Sequence, residues 1–539
     1  MRYRETSRVV MVMVYLSALC TAALHSSLSP EEGRAQPTTE IESSIPLLPL
    51  QPPALVKPLP TEELSKLNAI ARKAIEKSPI QSKTVVGIHH ALLDSSVVQQ
   101  VLKSNPTNSA PKVIIELPNK QSAVIVTDSL QAAQDSVLWK GHVENPPGNR
   151  VRFIVNAKNN AINGSIEKGR FIYEIRPSPS NTNVLEILAI DPSGFPPEHG
   201  GFLPDHGSLR PPPASVSSVV GVREDRVTGP LILTAGSSPP VIDVMILYTT
   251  DARNQDPNGI GAMACLAVED LKEALTNSGV QATARLVHHG IAGTFTEASD
   301  RNIDSNLESL RTAGNTLGYD IFLLRNAHAA DVVSLWVSDA NGTDCGMSPG
   351  LDVNKTPKDF LAFSVVKREC ARSNRSFVHE VGHILQANHD RYQEEAGNIL
   401  DYNYGYVKPD KGWMTVMSYH RPDCPLEDIL DSGGNPVFVD GVKQQRHACN
   451  RRLNWSNPLV SDLGTGDSMG RPQGTSTNDC TNNRQQPPIN CDGPADNARV
   501  LNSTVATVAG FRTGGSLGNV LCVPPDVIAP KPPIGLEVH

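Results

Sequence analysis

The chain has 539 residues, 39% of them hydrophobic and 19% charged, with a net charge of −8. That length is too great for one hydrophobic core and predicts two or three domains. The acidic balance, without a basic cluster, argues against nucleic acid as a partner. After the N-terminal apolar run, no stretch approaches the roughly twenty apolar residues of a bilayer span.

Arg2, Arg4 and Arg8 precede an apolar run from Val9 to about Leu24, and small and polar residues follow. This is the pattern of a secretory signal over 1–26, because the run is short for a span and no stop-transfer charges follow it. The product is expected to be secreted, outside the cell or in the periplasm, as a monomer free of the membrane. Residues 27–80 read as a largely disordered linker, rich in Pro, Ser and Glu up to residue 60. Over 81–198, strand-like runs recur at Val113–Leu117, Val124–Val126, Val137–Val143, Val151–Val155, Ile162–Ile166, Phe171–Ile175 and Val184–Ile190. Turn residues separate them, which predicts a small all-β domain. Residues 199–240, rich in Pro, Gly and Ser, read as a hinge in which Arg223 and Arg226 offer basic cleavage points.

Over 241–512 strands and helices alternate. Strands are predicted at Val241–Tyr248, Val280–His288 and Val332–Val337, with helices at about Gly261–Ser278 and Tyr319–Ala329. The alternation predicts an α/β domain on a mostly parallel, twisted sheet. Phe360–Val366 reads as its edge strand beside a cleft, where an extended peptide can add itself as a further strand. Thr475–Pro494, loaded with Asn, Gln and Pro, reads as a long surface loop, and 513–539 as a tail.

The most informative segment is His379-Glu380-Val381-Gly382-His383, followed by Ile384-Leu385-Gln386-Ala387-Asn388-His389-Asp390. On a helix, His379 and His383 project from one face one turn apart and can reach a single tetrahedral zinc. Glu380 then lies beside the metal, where a general base for an attacking water belongs. The helix must stop near Leu385 for the chain to swing His389 back as third ligand. Three nitrogen ligands and one open position describe a catalytic rather than a structural zinc site. Calcium has no support in the residue pattern.

These residues resemble the metzincin zinc endopeptidases, H-E-x-x-H-x-x-G-x-x-H, and Asp390 resembles the reprolysin (adamalysin-like) branch. Ala362–Val366 through Cys370 and Phe377 resemble the approach to the zinc helix in secreted bacterial members. Trp413–Tyr419 resembles the Met-turn, with Met417 under the zinc. Trp455-Ser456-Asn457-Pro458 resembles the wall of the specificity pocket, and Asn497–Arg512 the closing helix. The likeness covers about 241–512 and implies a metzincin-like zincin domain of α/β (α+β) class. The run from Tyr173 to Pro197 resembles the propeptide of the same proteases. The resemblance therefore implies a proenzyme that hydrolyses polypeptides and is inhibited by its own propeptide. It also implies a disulfide between Cys345 and Cys370; proximity adds Cys480 with Cys491, among eight cysteines after the signal.

The sequence departs from the pattern at Gln386, where the family has a glycine that turns the chain at positive φ. The turn falls either there, at roughly 1 kcal/mol for a non-glycine residue, or at Asn388. Because no cysteine lies between the signal and residue 240, a propeptide thiolate cannot cap the zinc. Latency then needs plain occlusion or another ligand, with His199, Asp205 and His206 the nearest candidates. Val416-Met417-Ser418-Tyr419 is closer to the Met-turns of the astacin and serralysin branches, where a Tyr resembles a switchable fifth ligand; Tyr419 is accordingly read as catalytic. Asp390 is read as orienting the turn. The competing expectation is a catalytically silent zincin that serves as a protein-binding or adhesion module.

Overall fold

The computed structural model describes residues 51–198 and 238–512, apart from 105, 107–109, 134, 146–148, 294, 301, 312–315, 339–343, 350–355, 394–399, 477–490 and 492. The expected signal and tail and residues 199–237 of the hinge, with His199, Asp205, His206, Arg223 and Arg226, lie outside the described residues. From Pro52 onward the described residues belong to one unit.

A nine-stranded sheet comes first. Its strands are β1 (Val56–Lys57), β2 (Val85–Leu93), β3 (Lys112–Leu117), β4 (Gln121–Ala132), β5 (Ser136–Val143), β6 (Arg150–Asn156), β7 (Ile162–Lys168), β8 (Phe171–Ser178) and β9 (Asn181–Ile190). They lie in the order β1-β2-β9-β8-β7-β6-β5-β4-β3, and every neighbouring pair is antiparallel. The seven runs read from the sequence each fall inside one of β3 to β9.

The region is not all-β, and the linker does not extend to residue 80. Helices α1 (Thr61–Lys77), α2 (Gln81–Thr84) and α3 (Ser95–Lys103) accompany the sheet. Leu64, Leu67, Ala71 and Ile75 recur at helical spacing, and Ala71 and Ile75 are buried. Glu62 and Glu63 in the first turn of α1 and Lys77 in its last turn suit the helix dipole. The Pro-rich run that leads into α1 masks this stripe when the sequence is read by composition. Helix α3 is capped by the Asp94 carboxylate, which accepts from the Ser96 N–H at 3.1 Å.

The second sheet carries the site. Strands β10 (Val241–Tyr248), β11 (Thr283–Ile291), β12 (Val332–Val337), β13 (Gly346–Met347) and β14 (Phe363–Lys367) lie in the order β11-β10-β12-β14-β13. The pairs β10–β11, β10–β12 and β12–β14 are parallel, and β13–β14 is antiparallel. Helices α4 (Thr250–Gln255), α5 (Ile260–Asn277), α6 (Ile303–Arg311), α7 (Thr316–Ala327), α8 (Arg368–Ala371), α9 (Ser376–Ile384) and α10 (Asn497–Val508) complete this half. Alternation along β10 serves two cores at once. Ile242, Val244 and Ile246 pack with Leu266 and Leu271 of α5, with Phe377 and Val381 of α9 and with Leu501 of α10. Met245 and Leu247 pack with Leu307 and Leu310 of α6. No helix among the described residues is long and apolar enough to cross a membrane.

The edge assignment is corrected. Phe360–Val366 contributes β14, which has a neighbour on each side; the strand at that edge is β13, whose Gly346 and Met347 pair with Val366 and Val365. The Cys345–Cys370 disulfide adjoins this pairing, and a second joins Cys424 to Cys449. Cys265 and Cys491 are also disulfide-bonded; the Cys480–Cys491 expectation rests on Cys480, outside the described residues.

The two sheets' halves meet over a charged face. Lys140 pairs with Glu269 at 2.9 Å, Arg150 and Arg152 each with Glu273 at 2.9 Å, and Arg375 with Glu167 at 3.3 Å. A hairpin of Leu426–Asp428 against Gln445–His447 adds a clasp: Arg170 holds Glu427 at 2.7 Å and Arg446 holds Asp191 at 3.0 Å.

Candidate metal and catalytic site

Helix α9 ends as a two-bond C-terminal motif. The Ala387 N–H donates to the Gly382 carbonyl and the Gln386 N–H to that of His383, both at 2.8 Å. Gln386 has φ 73° and so occupies the place that glycine usually takes, while Asn388 is not among the residues at positive φ. Asn403 Nδ2 donates to the Gln386 carbonyl at 2.8 Å, which helps to hold this left-handed residue. The turn returns the chain so that His389 faces α9.

Among the described residues, His379, His383 and His389 form a cluster able to hold a metal ion. Their Nε2 atoms converge: His379 to His383 at 3.1 Å, His379 to His389 at 3.2 Å and His383 to His389 at 2.8 Å. Nitrogens about 2.05 Å from a tetrahedral zinc would lie about 3.3 Å apart, so the cluster fits that ion with a small outward relaxation. His379 Nδ1 lies 2.9 Å from the Val416 carbonyl and His383 Nδ1 3.0 Å from that of Ala387. A carbonyl only accepts, so each Nδ1 carries the proton and each Nε2 presents a lone pair. Burial pushes the pKa of both rings well down, which keeps them in the neutral, ligating form.

Glu380 is 1% exposed, and neither carboxylate oxygen makes a hydrogen bond of normal geometry among the described residues. Burial pushes its pKa well up and the Glu198 carboxylate adds to this, while nearby Ser348 opposes it. A buried carboxyl left without a partner is costly unless a cation or a water completes it. Gly346 makes room for it: a Cβ there would stand 2.8 Å from Glu380 Oε1.

Met417 is wholly buried beneath the cluster, and a Cβ on Gly382 would meet its sulfur at 2.6 Å. The Asp390 carboxylate accepts from the N–H groups of Tyr392 and Tyr419, each at 3.0 Å, and so ties the third-histidine loop to the segment after Met417. The Tyr419 hydroxyl lies 3.3 Å from His389 Nε2 and donates to the Glu198 carbonyl at 3.3 Å. Burial pushes this phenol well up, so it stays protonated.

Four polar residues beside the cluster escaped the sequence reading. The Arg451 guanidinium grips the Glu198 carboxylate with Nη1 at 2.6 Å and Nη2 at 3.1 Å. Asn374 Nδ2 and Ser376 Oγ donate to the same carboxylate at 2.9 and 2.8 Å. Glu198 directly precedes His199, the first residue named above for latency; nothing in the run around Arg451 distinguishes it from the chain's other arginines.

No protein-family model matches the chain. A peptidyl-Asp metalloendopeptidase of Stenotrophomonas maltophilia (strain R551-3) is 26% identical over 459 residues, covering 81% of this chain and 92% of the relative. One from Xanthomonas campestris pv. campestris is 26% identical over 77% of this chain and 88% of the relative. One from Pseudomonas fragi is 29% identical over 27% of this chain and 63% of the relative. The first match is longer than 241–512, so it reaches into the nine-stranded region as well. A solved chain described as "Structure of a chaperone-substrate complex" aligns at TM-score 0.34 and 14% identity over 51% of this chain and 40% of that one, too low to show a shared fold. The histidine cluster, the carboxyl beside it and the relatives' shared description together support a zinc metalloendopeptidase.

Proposed function

We propose that the chain is a secreted proenzyme of the metzincin type, akin to the reprolysin branch, and hydrolyses peptide bonds next to acidic residues. The convergence of three histidine Nε2 atoms beside a buried carboxyl carries this reading. The acidic preference follows the relatives' name, which specifies aspartyl peptides for them. Those relatives do not favour the silent-zincin alternative.

His379, His383 and His389 hold the zinc, which when bound lowers the pKa of a water and polarises a peptide carbonyl. Glu380 takes the proton of the attacking water and returns it to the leaving amine. Its low-dielectric surroundings make it a stronger base than a solvated carboxylate once a cation nearby restores its charged form. The Tyr419 phenol, protonated and in reach of His389, donates to the oxyanion that develops on the attacked carbonyl. Asp390 and Met417 act by position, fixing the loop and the floor. The nine-stranded region and the residues after it serve as propeptide.

Glu380→Ala is expected to lower peptide hydrolysis by roughly a hundredfold to ten-thousandfold while zinc content, read by atomic absorption, stays near one per chain. His383→Ala loses both. A Glu380→Ala chain that hydrolyses normally would remove the base assignment. Tyr419→Phe is expected to lower kcat by roughly tenfold to a few hundredfold with little change in KM. An unchanged kcat at full zinc content would take Tyr419 out of the chemistry.

A further inference from the structure

The segment that leaves the nine-stranded sheet does not stop at the rim of the cleft. Phe195 is buried with Ile75, Ile172 and Ile190 against the Cys345–Cys370 disulfide. Two residues later the Pro197 carbonyl accepts from the Cys345 N–H at 3.0 Å, beside the edge strand β13, as an added strand would begin. Glu198 then enters the site. Its side chain is 1% exposed and meets three side chains of the zinc half, Arg451, Asn374 and Ser376. Its carbonyl accepts from Tyr419, whose hydroxyl also lies beside His389.

A two-pronged guanidinium with two neutral donors is a carboxylate receptor, and its geometry specifies charge and planarity together. Arg451 is itself anchored, donating to the carbonyls of Asn374 at 2.8 Å and Ser418 at 3.0 Å. The receptor is therefore built by the zinc half, and the N-terminal half supplies only the acid that fills it. We propose that Arg451, Asn374 and Ser376 form the subsite that reads an acidic side chain of the substrate, and that Glu198 occupies it in the uncleaved chain as a substrate mimic. This rests on the endopeptidase reading above. It supplies latency without a zinc-capping thiolate: the acid holds the strap, and the strap covers the catalytic groups.

The test uses the zinc-loaded full chain, its Glu198→Gln variant and Glu198→Gln combined with Arg451→Lys. Two quantities are read: hydrogen exchange of the Cys345 amide, which donates to the Pro197 carbonyl, and hydrolysis of two peptides that differ only by Asp or Asn at one position. Glu198→Gln is expected to speed exchange of the Cys345 amide and to raise hydrolysis of the Asp peptide at least about tenfold, the scale of one charge-assisted bond. Adding Arg451→Lys is expected to reduce the preference for Asp over Asn at unchanged zinc content, because lysine keeps the charge and loses the fork. The proposal is overturned if Glu198→Gln alters neither exchange nor hydrolysis, or if Arg451→Lys leaves the Asp preference intact. Faster exchange with no hydrolysis by any chain would instead sink the endopeptidase reading and leave the seating of Glu198 standing.

Discussion

Between strands β5 to β7 and helix α5 the contact is a broad field of paired charges, whereas at the cleft it is a strap of three residues, Pro196 to Glu198. The field joins Arg150, Arg152, Arg375, Glu167 and Glu273 across a face that contains no group of the metal cluster. The strap's bonds end on Cys345, Asn374, Ser376, Arg451 and Tyr419, beside the metal cluster. Arginine of one half facing carboxylates of the other gives a specific fit around the apolar contact that Ile154 of β6 makes with the core of α5. Docking and occlusion are thus separate tasks, held by separate residues.

The largest effect is expected at the centre of the field. Arg150→Ala takes from Glu167 and Glu273, which are about four-fifths buried, one of the two arginines each holds and leaves them Arg375 and Arg152, and should lower the stability of the full chain by about 2 kcal/mol in urea unfolding. If docking and occlusion are separate, exchange of the Cys345 amide held by Pro197 in the folded state stays slow in that variant. Fast exchange there would merge the two regions into one.

A second, smaller effect concerns His420, which lies with Arg170, Ser193 and Arg451 where the clasp and the strap come together. Burial, aided by Arg451 and Arg446, pushes its pKa down to about 4 from an ordinary 6.5, against the pull of Glu198 and Asp191. The sign follows from the ring being neutral when folded. Above pH 6.5 its contribution is complete; as pH falls from 6.5 towards 4 the unfolded chain takes a proton that the folded chain refuses. Stability should fall by up to about 1.4 kcal/mol per pH unit over that window. Urea midpoints at pH 7 and 5.5 measure it. His420→Asn, which keeps an acceptor for the Cys449 N–H, should flatten the slope; an unchanged slope would move its origin elsewhere.

At the rim of the field the effect is expected to be least. Lys140 is about a quarter exposed in its pair with Glu269, and Lys140→Ala should cost less than about 1 kcal/mol. A loss equal to that of Arg150→Ala would show that the face is uniform, without a centre.

The sequence exposed the parts of this molecule that are local. Two histidines one helical turn apart, a carboxyl between them and a later histidine define a cluster within eleven residues, and the seven short runs of the first sheet are bounded by their own turns. Strand β13 was illegible because two residues have no periodicity; disulfide and partner strand define it together. Helix α1 was hidden by the composition that precedes it. The pairing of Glu198 with Arg451 spans 253 positions, and no local pattern carries a contact of that range. Gln386 is instructive in the other direction: the family's glycine is missing, yet the left-handed turn is kept, because its two backbone bonds and Asn403 secure it.

That tolerance has a counterpart one turn earlier. In the motif H-E-x-x-H the two x positions are written as free, but Gly382, the second of them, has Met417 Sδ and Trp455 Nε1 each 2.6 Å from where a Cβ would stand. A side chain there would lever the helix off its floor and carry His379 and His383 with it. The spelling of the motif therefore misplaces its own freedom: the glycine it demands at 386 is dispensable, and the residue it leaves blank at 382 is fixed by sterics.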